Sequence, residues 1–164
     1  KTLFDIRHGL ETVLSLFQNA FKYYVTLELD IAEELPEIMC FPDQLNQVWT
    51  NIIQNAMQAM NNAGILRIEV KKSDDGILVR IIDQGCGMTP EVKARVFEPL
   101  FTTKPAGEGI GLGMDIVHMI VVERHNGRID IDSEPGKGTT VSVWLPCCPI
   151  ENTTTELLYQ SDMI

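Results

Sequence analysis

Hydrophobic positions recur at three- and four-residue steps in several stretches of the chain, which is the spacing of amphipathic helices. The first such stretch predicts a helix from Asp5 to Phe21. A longer helix is predicted to begin at Pro42, with Asp43 as its N-cap. Its apolar stripe consists of Leu45, Val48, Trp49, Ile52, Ile53, Ala56 and Met60. A short helical turn is predicted near Pro90–Val96, and a third helix is predicted from about Leu112 to Arg124, ended by Asn126-Gly127.

Elsewhere apolar and polar residues alternate, which indicates strands with one buried face. The predicted strands are Tyr23–Asp30, a weaker Ile38–Phe41, two arms joined at Asp74-Asp75-Gly76, Arg128–Ser133 and Thr139–Leu145. Three helices that each bury one stripe, and a sheet that buries one face, fit a two-layer α+β sandwich with a mainly antiparallel sheet. We expect residues 1–150 to form this domain and the polar residues 151–164 to form a tail or linker.

Composition narrows the class of protein. The 164 residues are 45% hydrophobic and 22% charged, as in an ordinary globular domain. A net charge of −10 disfavours binding to nucleic acid or to an anionic membrane surface. No apolar run approaches the ~18 residues of a membrane helix. The four cysteines show no metal-ligand spacing and no secretory signal precedes them, so we expect reduced thiols in a cytoplasmic protein.

The long helix has an uncharged polar side. No Asp, Glu, Lys or Arg occurs from Gln44 to Leu66. Asn51, Asn55 and Gln58 lie about one turn apart, on the side opposite the apolar stripe. An amide oxygen can take one position on Mg²⁺ when polyphosphate oxygens and waters fill the others. An amide-rich solvent face or inter-helix face is an equally good interpretation of this helix alone.

A glycine-containing loop, Asp83-Gln84-Gly85-Cys86-Gly87-Met88, follows a predicted strand. Gly85 and Gly87 allow the backbone to turn and to approach a ligand closely. A carboxylate only accepts hydrogen bonds, so Asp83 would select the exocyclic amine of adenine over the carbonyl of guanine. A tight turn capped by an aspartate is the alternative interpretation.

A second glycine run, Gly107-Glu108-Gly109-Ile110-Gly111-Leu112-Gly113, leads into the third predicted helix. Its N–H groups could wrap an anion, and the helix N-terminus adds positive potential. The Walker pattern is absent. Lys104, at the end of Phe97–Lys104, is a candidate for the terminal phosphate, or one surface lysine among several. The segment Gly136–Thr140 is explained as a hairpin loop that binds no ligand. It becomes a candidate for the binding site only if Thr139 lies beside Asp83.

The order of NIIQNA, DQGCGM, FEPLFTTK, GEGIGLG and GKGTT resembles the N, G1, F, G2 and G3 boxes of the histidine-kinase catalytic domain, a Bergerat-fold ATPase. The resemblance covers about Asp5 to Pro146. It implies a five-stranded mixed sheet covered on one face by three helices. It also implies that ATP and Mg²⁺ are held between the amide helix and a flexible lid spanning roughly Phe97 to Gly111.

The resemblance also implies roles for individual residues. Asn55 would be the Mg²⁺ ligand, Asn51 would face the phosphates, and Asp83 would read adenine. The hydroxyl of Thr139 would support the aspartate through water, and Asn51 and Lys104 would act nearest the reaction. The implied nucleotide-binding set is Asn51, Asn55, Gln58, Asp83, Gly85, Gly87, Met88, Lys104, Gly107, Gly109, Ile110, Gly111, Leu112, Gly113 and Thr139. Gln58 stands where many relatives have a basic residue.

The type of reaction is indicated by the absence of an acidic side chain at one position of the long helix. Many hydrolytic members of this superfamily carry a glutamate four residues before the metal-binding asparagine, and this chain has Asn51 there. An amide cannot take a proton from water, so transfer to an imidazole is favoured over hydrolysis. The alternatives are a Bergerat-fold ATPase of the wider superfamily and a catalytically silent nucleotide-binding regulatory module.

The phosphoacceptor histidine is expected on a dimerisation domain that this chain does not contain, with a response regulator as a further partner. His8 lacks the expected acidic and proline neighbours, and His118 and His125 are expected to be structural or surface residues. We expect no nucleic-acid partner and no direct membrane contact for this fragment, although its parent could be membrane-anchored.

Overall fold

The computed structural model describes residues 1–99, 101–102 and 113–147. In these ranges the helices are α1 (Ile6–Ser15), α2 (Gln18–Tyr23), α3 (Pro42–Ala59), α4 (Pro90–Arg95), α5 (Gly113–His118) and a π-helical segment (Met119–Arg124). The strands are β1 (Thr2–Phe4), β2 (Val25–Ile31), β3 (Ile38–Cys40), β4 (Gly64–Ser73), β5 (Gly76–Asp83), β6 (Arg128–Glu134) and β7 (Gly138–Pro146). No helix in the described ranges is both long enough and apolar enough to cross a bilayer.

The main sheet has five strands in the order β2-β4-β5-β7-β6. β2 runs parallel to β4, and the other neighbours are antiparallel. The predicted mixed, mainly antiparallel five-stranded sheet is therefore confirmed. β1 and β3 form a separate antiparallel pair in which Leu3 lies opposite Met39. Sequence analysis did not predict β1, because three residues are too few to show an alternation.

One face of the sheet is buried by helices. α3 packs against β5 and β7, and α1 and α5 pack against α3. The predicted apolar stripe of α3 is buried, with Trp49 inaccessible to solvent, and Met57 joins it. In the sheet, Ile68 and Ile81 are register partners on the buried face. The alternation read from the sequence thus sorted the residues of β4 and β5 correctly between the helices and the solvent. In β2 it did not, because Leu29, on the predicted apolar side with Val25, is 49% exposed.

The first predicted helix is interrupted. α1 ends at Ser15 and α2 begins at Gln18. The N–H of Leu16 donates to Val13 O (3.0 Å) and the N–H of Phe17 donates to Leu14 O (3.1 Å). These i to i−3 bonds tighten the last turn of α1 and end the α-helical ladder. The apolar period continues across the break, so periodicity alone could not locate it.

The start of α3 also differs from the prediction. Phe41 occupies the N-cap position and no side chain caps the helix. Asp43 lies inside the first turn, where its charge interacts favourably with the helix dipole. The N–H of Phe41 donates instead to Nε2 of His125, at 3.1 Å. The ring of a residue 84 positions away therefore meets the backbone at the point where α3 begins.

The third predicted helix is present but changes its winding, since α5 continues into the π-helical segment. The π-helical segment ends at Arg124, and Asn126, the residue after its C-cap His125, has a φ of 54°, which confirms the predicted left-handed cap. His125 is buried, and its Nδ1 lies 2.8 Å from Ile120 O. Because Nε2 accepts a hydrogen bond, Nδ1 carries the proton and the ring is neutral. The structural role expected for His125 is confirmed.

The loop after β5, residues 84–89, lies tightly against the β6–β7 hairpin. Gly87 has a φ of +69°, and a Cβ there would overlap the carbonyl of Glu134. Gly138 has a φ of +82°, and a Cβ there would overlap the carbonyl of Asp83. Each glycine therefore lies where neither the conformation nor the space suits another residue. The end of β5 and the β6–β7 hairpin are held as one unit.

Gly138→Ala is expected to destabilise the domain by at least about 2 kcal/mol more than Gly136→Ala. Both residues have positive φ, at +82° and +77°, but no atom of the described residues lies within 4 Å of a Cβ added at Gly136, its chain neighbours aside. The matched pair thus separates steric overlap from left-handed strain. Urea unfolding of both variants measures the difference. Equal losses would contradict the close packing described here.

A second prediction concerns His125. Burial lowers the pKa of His125 below its ordinary value of 6.5. Below that value the unfolded chain binds a proton that the folded domain excludes, so the free energy of unfolding should fall as the pH drops from about 7 to about 5. His125→Gln should flatten this slope, whatever its effect at neutral pH. His8→Gln, at a side chain 72% exposed, is the control and should leave the slope as it is.

Candidate functional site

The site is built around a buried carboxylate. β5 ends at Asp83, which is 6% exposed. Its Oδ1 accepts the backbone N–H of Gly85 at 2.8 Å and that of Thr139 at 3.3 Å. Burial raises the pKa of Asp83, and the two backbone hydrogen bonds oppose the shift. The carboxyl group is thus fixed in place by the backbone of two separate segments.

Thr139 lies beside Asp83, as its functional interpretation requires. The two residues are register partners between β5 and β7. The hydrogen bond that Thr139 makes to Asp83 comes from its backbone N–H. Its hydroxyl oxygen lies 2.8 Å from the hydroxyl oxygen of Ser133 on β6. The Gly136–Thr140 hairpin loop is therefore part of the candidate site.

Ser133 is a site residue that sequence analysis missed. Its Oγ accepts the N–H of Met88 (2.9 Å) and donates to Gly138 O (3.1 Å). The signal was present, because Ser133 falls on the same face of β6 as Ile129 and Ile131. A polar residue on the apolar face of a predicted strand needs a buried partner.

The amide side of α3 faces the beginning of α5. Asn51 and Asn55 are both half-buried, and Gln58 is exposed. The side-chain NH₂ of Asn51 donates to Gly113 O at 3.3 Å. A Cβ on Gly113 would lie 3.7 Å from Nδ2 of Asn55. The two asparagines therefore face the residue at which the second glycine run ends. The contact excludes a purely solvent-exposed amide face. It fits the inter-helix interpretation of this helix, and the Mg²⁺ interpretation stays a prediction.

The C-terminal end of α3 brings the Asp83 loop close to the amide side of the same helix. Gly85 is so close to Ala59 that a Cβ on the glycine would lie 2.7 Å from the Cβ of Ala59. The N–H of Cys86 donates to Ala59 O at 3.2 Å. Asn55 precedes Ala59 by four residues, a rise of about 6 Å along the helix. The Asp83 loop and the amide side of α3 thus border one region of the molecule.

Aromatic contacts hold the segment before the second glycine run. The Phe97 ring lies 5.1 Å from the ring of His118 on α5. Arg95 stacks over Phe101 at 4.5 Å and pairs with Glu98 at 3.0 Å. His118 is thereby a packing residue, as expected. Lys104, Gly107, Gly109, Ile110, Gly111 and Leu112 lie outside the described residues, as do residues 151–164.

The chemistry of the site restricts the metal it could hold. In the described ranges, no group of three or more His, Cys, Asp or Glu residues could bind an ion on its own. Cys40 is buried, which raises the pKa of its thiol to about 11. The three cysteines within the described ranges, Cys40, Cys86 and Cys147, form no disulfide with one another. A neutral amide such as Asn55 suits a hard cation whose charge is met by ligand oxygens. The donor set therefore fits Mg²⁺ only when it enters with a polyphosphate.

Comparison with known proteins agrees with this arrangement. Residues 41–149 match the family described as histidine kinase-, DNA gyrase B- and HSP90-like ATPase. Sporulation kinase E of Bacillus subtilis (strain 168) is 40% identical over 123 residues, which are 74% of this chain and 16% of that protein. Sensor histidine kinase ZraS of Escherichia coli (strain K12) is 38% identical over 141 residues, 86% of this chain and 29% of ZraS. The chain thus spans less than a third of either relative.

Solved structures share the fold. The catalytic domain of histidine kinase ThkA superposes with a TM-score of 0.80 at 25% identity, covering 90% of this chain and 98% of that domain. Full-length ShkA in complex with AMPPNP gives a TM-score of 0.77 at 25% identity, covering 88% of this chain and 30% of ShkA. The α+β sandwich is thus the fold of histidine kinase catalytic domains. From its sequence and its architecture, the chain belongs to the family of histidine kinase-, DNA gyrase B- and HSP90-like ATPases.

Proposed function

We propose that this chain is the ATP-binding catalytic domain of a cytoplasmic sensor histidine kinase module. Its reaction is transfer of the γ-phosphoryl group of ATP to a histidine on a separate dimerisation domain, from which a response regulator takes the phosphoryl group. The observation that carries the proposal is the contact of the Asp83 loop with the end of α3, next to the asparagines that face Gly113. The kinase names of the relatives and the AMPPNP complex of ShkA support it.

In this proposal Asp83 selects the base. Both of its backbone hydrogen bonds end on Oδ1, so Oδ2 is the oxygen offered to a ligand. An ionised carboxylate accepts a hydrogen bond from the N6 amine of adenine and repels the O6 carbonyl of guanine. The backbone atoms of Gly85, Gly87 and Met88 would line the base. Such contacts require no side chain at the two glycines.

The triphosphate would lie along the amide side of α3. Asn55 would supply one oxygen to Mg²⁺, with phosphate oxygens and waters completing the shell. Asn51 would orient the phosphates, and Gln58 would lie at the exposed edge. Lys104 would meet the terminal phosphate, and the N–H groups of residues 107–113 would surround the chain of phosphates. When bound, Mg²⁺ neutralises charge on the phosphoryl oxygens.

Phosphoryl transfer itself would need little chemistry from this chain. An imidazole nitrogen of the acceptor forms a bond to the γ-phosphorus, the bond from that phosphorus to the bridging oxygen breaks, and ADP leaves. Positioning and electrostatic stabilisation provide most of the rate. Asn51 cannot deprotonate water, so hydrolysis gains no general base at that position.

Asp83→Asn is expected to weaken ATP·Mg²⁺ binding by about tenfold and to reduce the preference for ATP over GTP, because an amide can donate to O6 of guanine. Calorimetric titration of both nucleotides measures the change. Asp132→Asn, at an exposed position on β6, removes the same charge and should leave both affinities as they are. Equal affinity of the unaltered protein for ATP and GTP would contradict the role of Asp83.

The reaction is tested by supplying the dimerisation domain of the parent protein in trans. With γ-labelled ATP, acid-labile label should appear on the acceptor histidine and little on this chain alone. Asn55→Ala should abolish transfer, whereas Gln54→Ala, on an exposed position of the same turn, should retain it. Release of inorganic phosphate without labelled protein would indicate an ATPase. ATP binding with neither product would indicate a regulatory module.

A further inference from the structure

Ser133 connects the Asp83 loop to the last strand through its hydroxyl group. It lies opposite Thr139 in the β6–β7 register, and Thr139 lies opposite Asp83 in the β5–β7 register. The three side chains thus form one row across three strands, on the face that the helices cover. We propose that Ser133 is a specificity-determining positioning residue: it accepts the hydrogen bond that the Thr139 hydroxyl donates, so that the row presents only hydrogen-bond acceptors to a purine.

The direction of each hydrogen bond follows from the number of protons. A serine hydroxyl has one proton to donate and two lone pairs that accept. The N–H of Met88, 2.9 Å away, can only donate, so it occupies one lone pair. The carbonyl of Gly138, 3.1 Å away, can only accept, so it takes the proton of Ser133. The remaining lone pair faces the hydroxyl of Thr139, 2.8 Å away, which must therefore be the donor.

The reverse direction forms fewer bonds. If Ser133 donated to Thr139, the carbonyl of Gly138 would lose the hydrogen bond from the serine hydroxyl. One hydrogen bond fewer costs about 0.5–1.5 kcal/mol. The arrangement that satisfies all three contacts is the one in which Thr139 donates.

This arrangement fixes what Thr139 offers to a ligand. Its proton is directed towards Ser133, so only lone pairs remain for a bound base or an intervening water. The neighbouring Asp83 carboxylate also only accepts. Two acceptors in a row match the two N–H groups of the adenine 6-amine and oppose a 6-carbonyl. The inference rests on the proposed nucleotide function and adds a residue two strands from the base-reading carboxylate.

Ser133 also has an ordinary packing role, which the test has to separate from the proposed one. Its bond to Met88, together with the bond from the N–H of Gly136 to Cys86 O (2.7 Å), holds the loop against the hairpin. Removing the hydroxyl would loosen this contact whichever proton direction holds. A loss of stability or of overall affinity is therefore not diagnostic. The ratio of affinities for two purines, and its dependence on the Thr139 hydroxyl, is diagnostic.

The experiment compares ATP·Mg²⁺ with ITP·Mg²⁺, whose base has a carbonyl at position 6 and a proton on N1. Because N1 accepts in adenine and donates in hypoxanthine, a preference for ATP that grows when the Thr139 proton is freed would place that hydroxyl at N1 and overturn the inference. Ser133→Ala frees the Thr139 proton to donate, so the preference for ATP over ITP should shrink by about fivefold, the effect of about one hydrogen bond. Ser133→Thr, which keeps the hydroxyl, should stay within about twofold of the unaltered protein. Ser133→Cys, with only a weak hydrogen-bonding thiol, should move in the direction of alanine and replaces it if that variant does not fold.

The decisive comparison is made in a Thr139→Val background. Without the Thr139 hydroxyl, Ser133→Ala has no proton to release, so it should leave the ATP/ITP ratio of that background unchanged. An equal change of the ratio in both backgrounds would show a structural role only and overturn the inference. So would an unchanged ratio in Ser133→Ala and Ser133→Cys when Asp83→Asn does abolish selectivity. Failure of the unaltered protein to bind ATP, or unaltered selectivity in Asp83→Asn, would instead overturn the proposed nucleotide function.

Discussion

The arrangement of the site depends on keeping one carboxylate out of water. A buried aspartate is tolerated only when hydrogen bonds replace its hydration. For Asp83 these come from the N–H groups of Gly85 and Thr139, two residues after it and 56 residues after it. The first requires a tight turn directly after β5, and the second requires β7 to pair with β5 up to its last residue. The close approach of Gly138 to the Asp83 carbonyl follows from the same pairing.

One side of α3 packs in the hydrophobic core, and another side borders the candidate site. One side buries Trp49 and its apolar neighbours against the sheet. The opposite side carries Asn51 and Asn55, which contact the beginning of α5 and therefore cannot be replaced freely by long charged residues. At its end, Ala59 receives the Asp83 loop. These contacts limit what can replace Asn51, Asn55 and Ala59. They do not explain why charge is also absent at exposed positions of the helix such as Gln47, Gln54 and Gln58.

Much of the fold could be predicted from the sequence, because burying one face of a helix or strand imposes a regular spacing on its apolar residues. The stripe of α3 and the alternation of β4 and β5 were predicted correctly, and so were their faces. The break after Ser15, the π-helical winding from Met119 and the N-cap at Phe41 were not. Each of these depends on contacts distant in sequence, or on a change of hydrogen-bonding pattern that leaves the apolar spacing intact. Ser133 was missed for a related reason, since its partners Met88 and Thr139 belong to other segments.

Electrostatics adds a further constraint on how this chain could hold an anion. The net charge is −10, and several cations are already paired away from the site. On the sheet face opposite the helices, Arg67 meets Glu28, Asp30 and Glu69 at 3.5, 3.2 and 3.0 Å, and Arg80 meets Glu69 at 3.0 Å. These guanidinium groups are thus already paired with carboxylates on the sheet surface. In the proposed function a polyphosphate beside α3 would therefore be held over a short range, by neutral N–H and amide groups, by Lys104 and by the Mg²⁺ that accompanies it. Such a site recognises its ligand by geometry and by hydrogen-bond direction, which is why the proton of a single hydroxyl group can matter there.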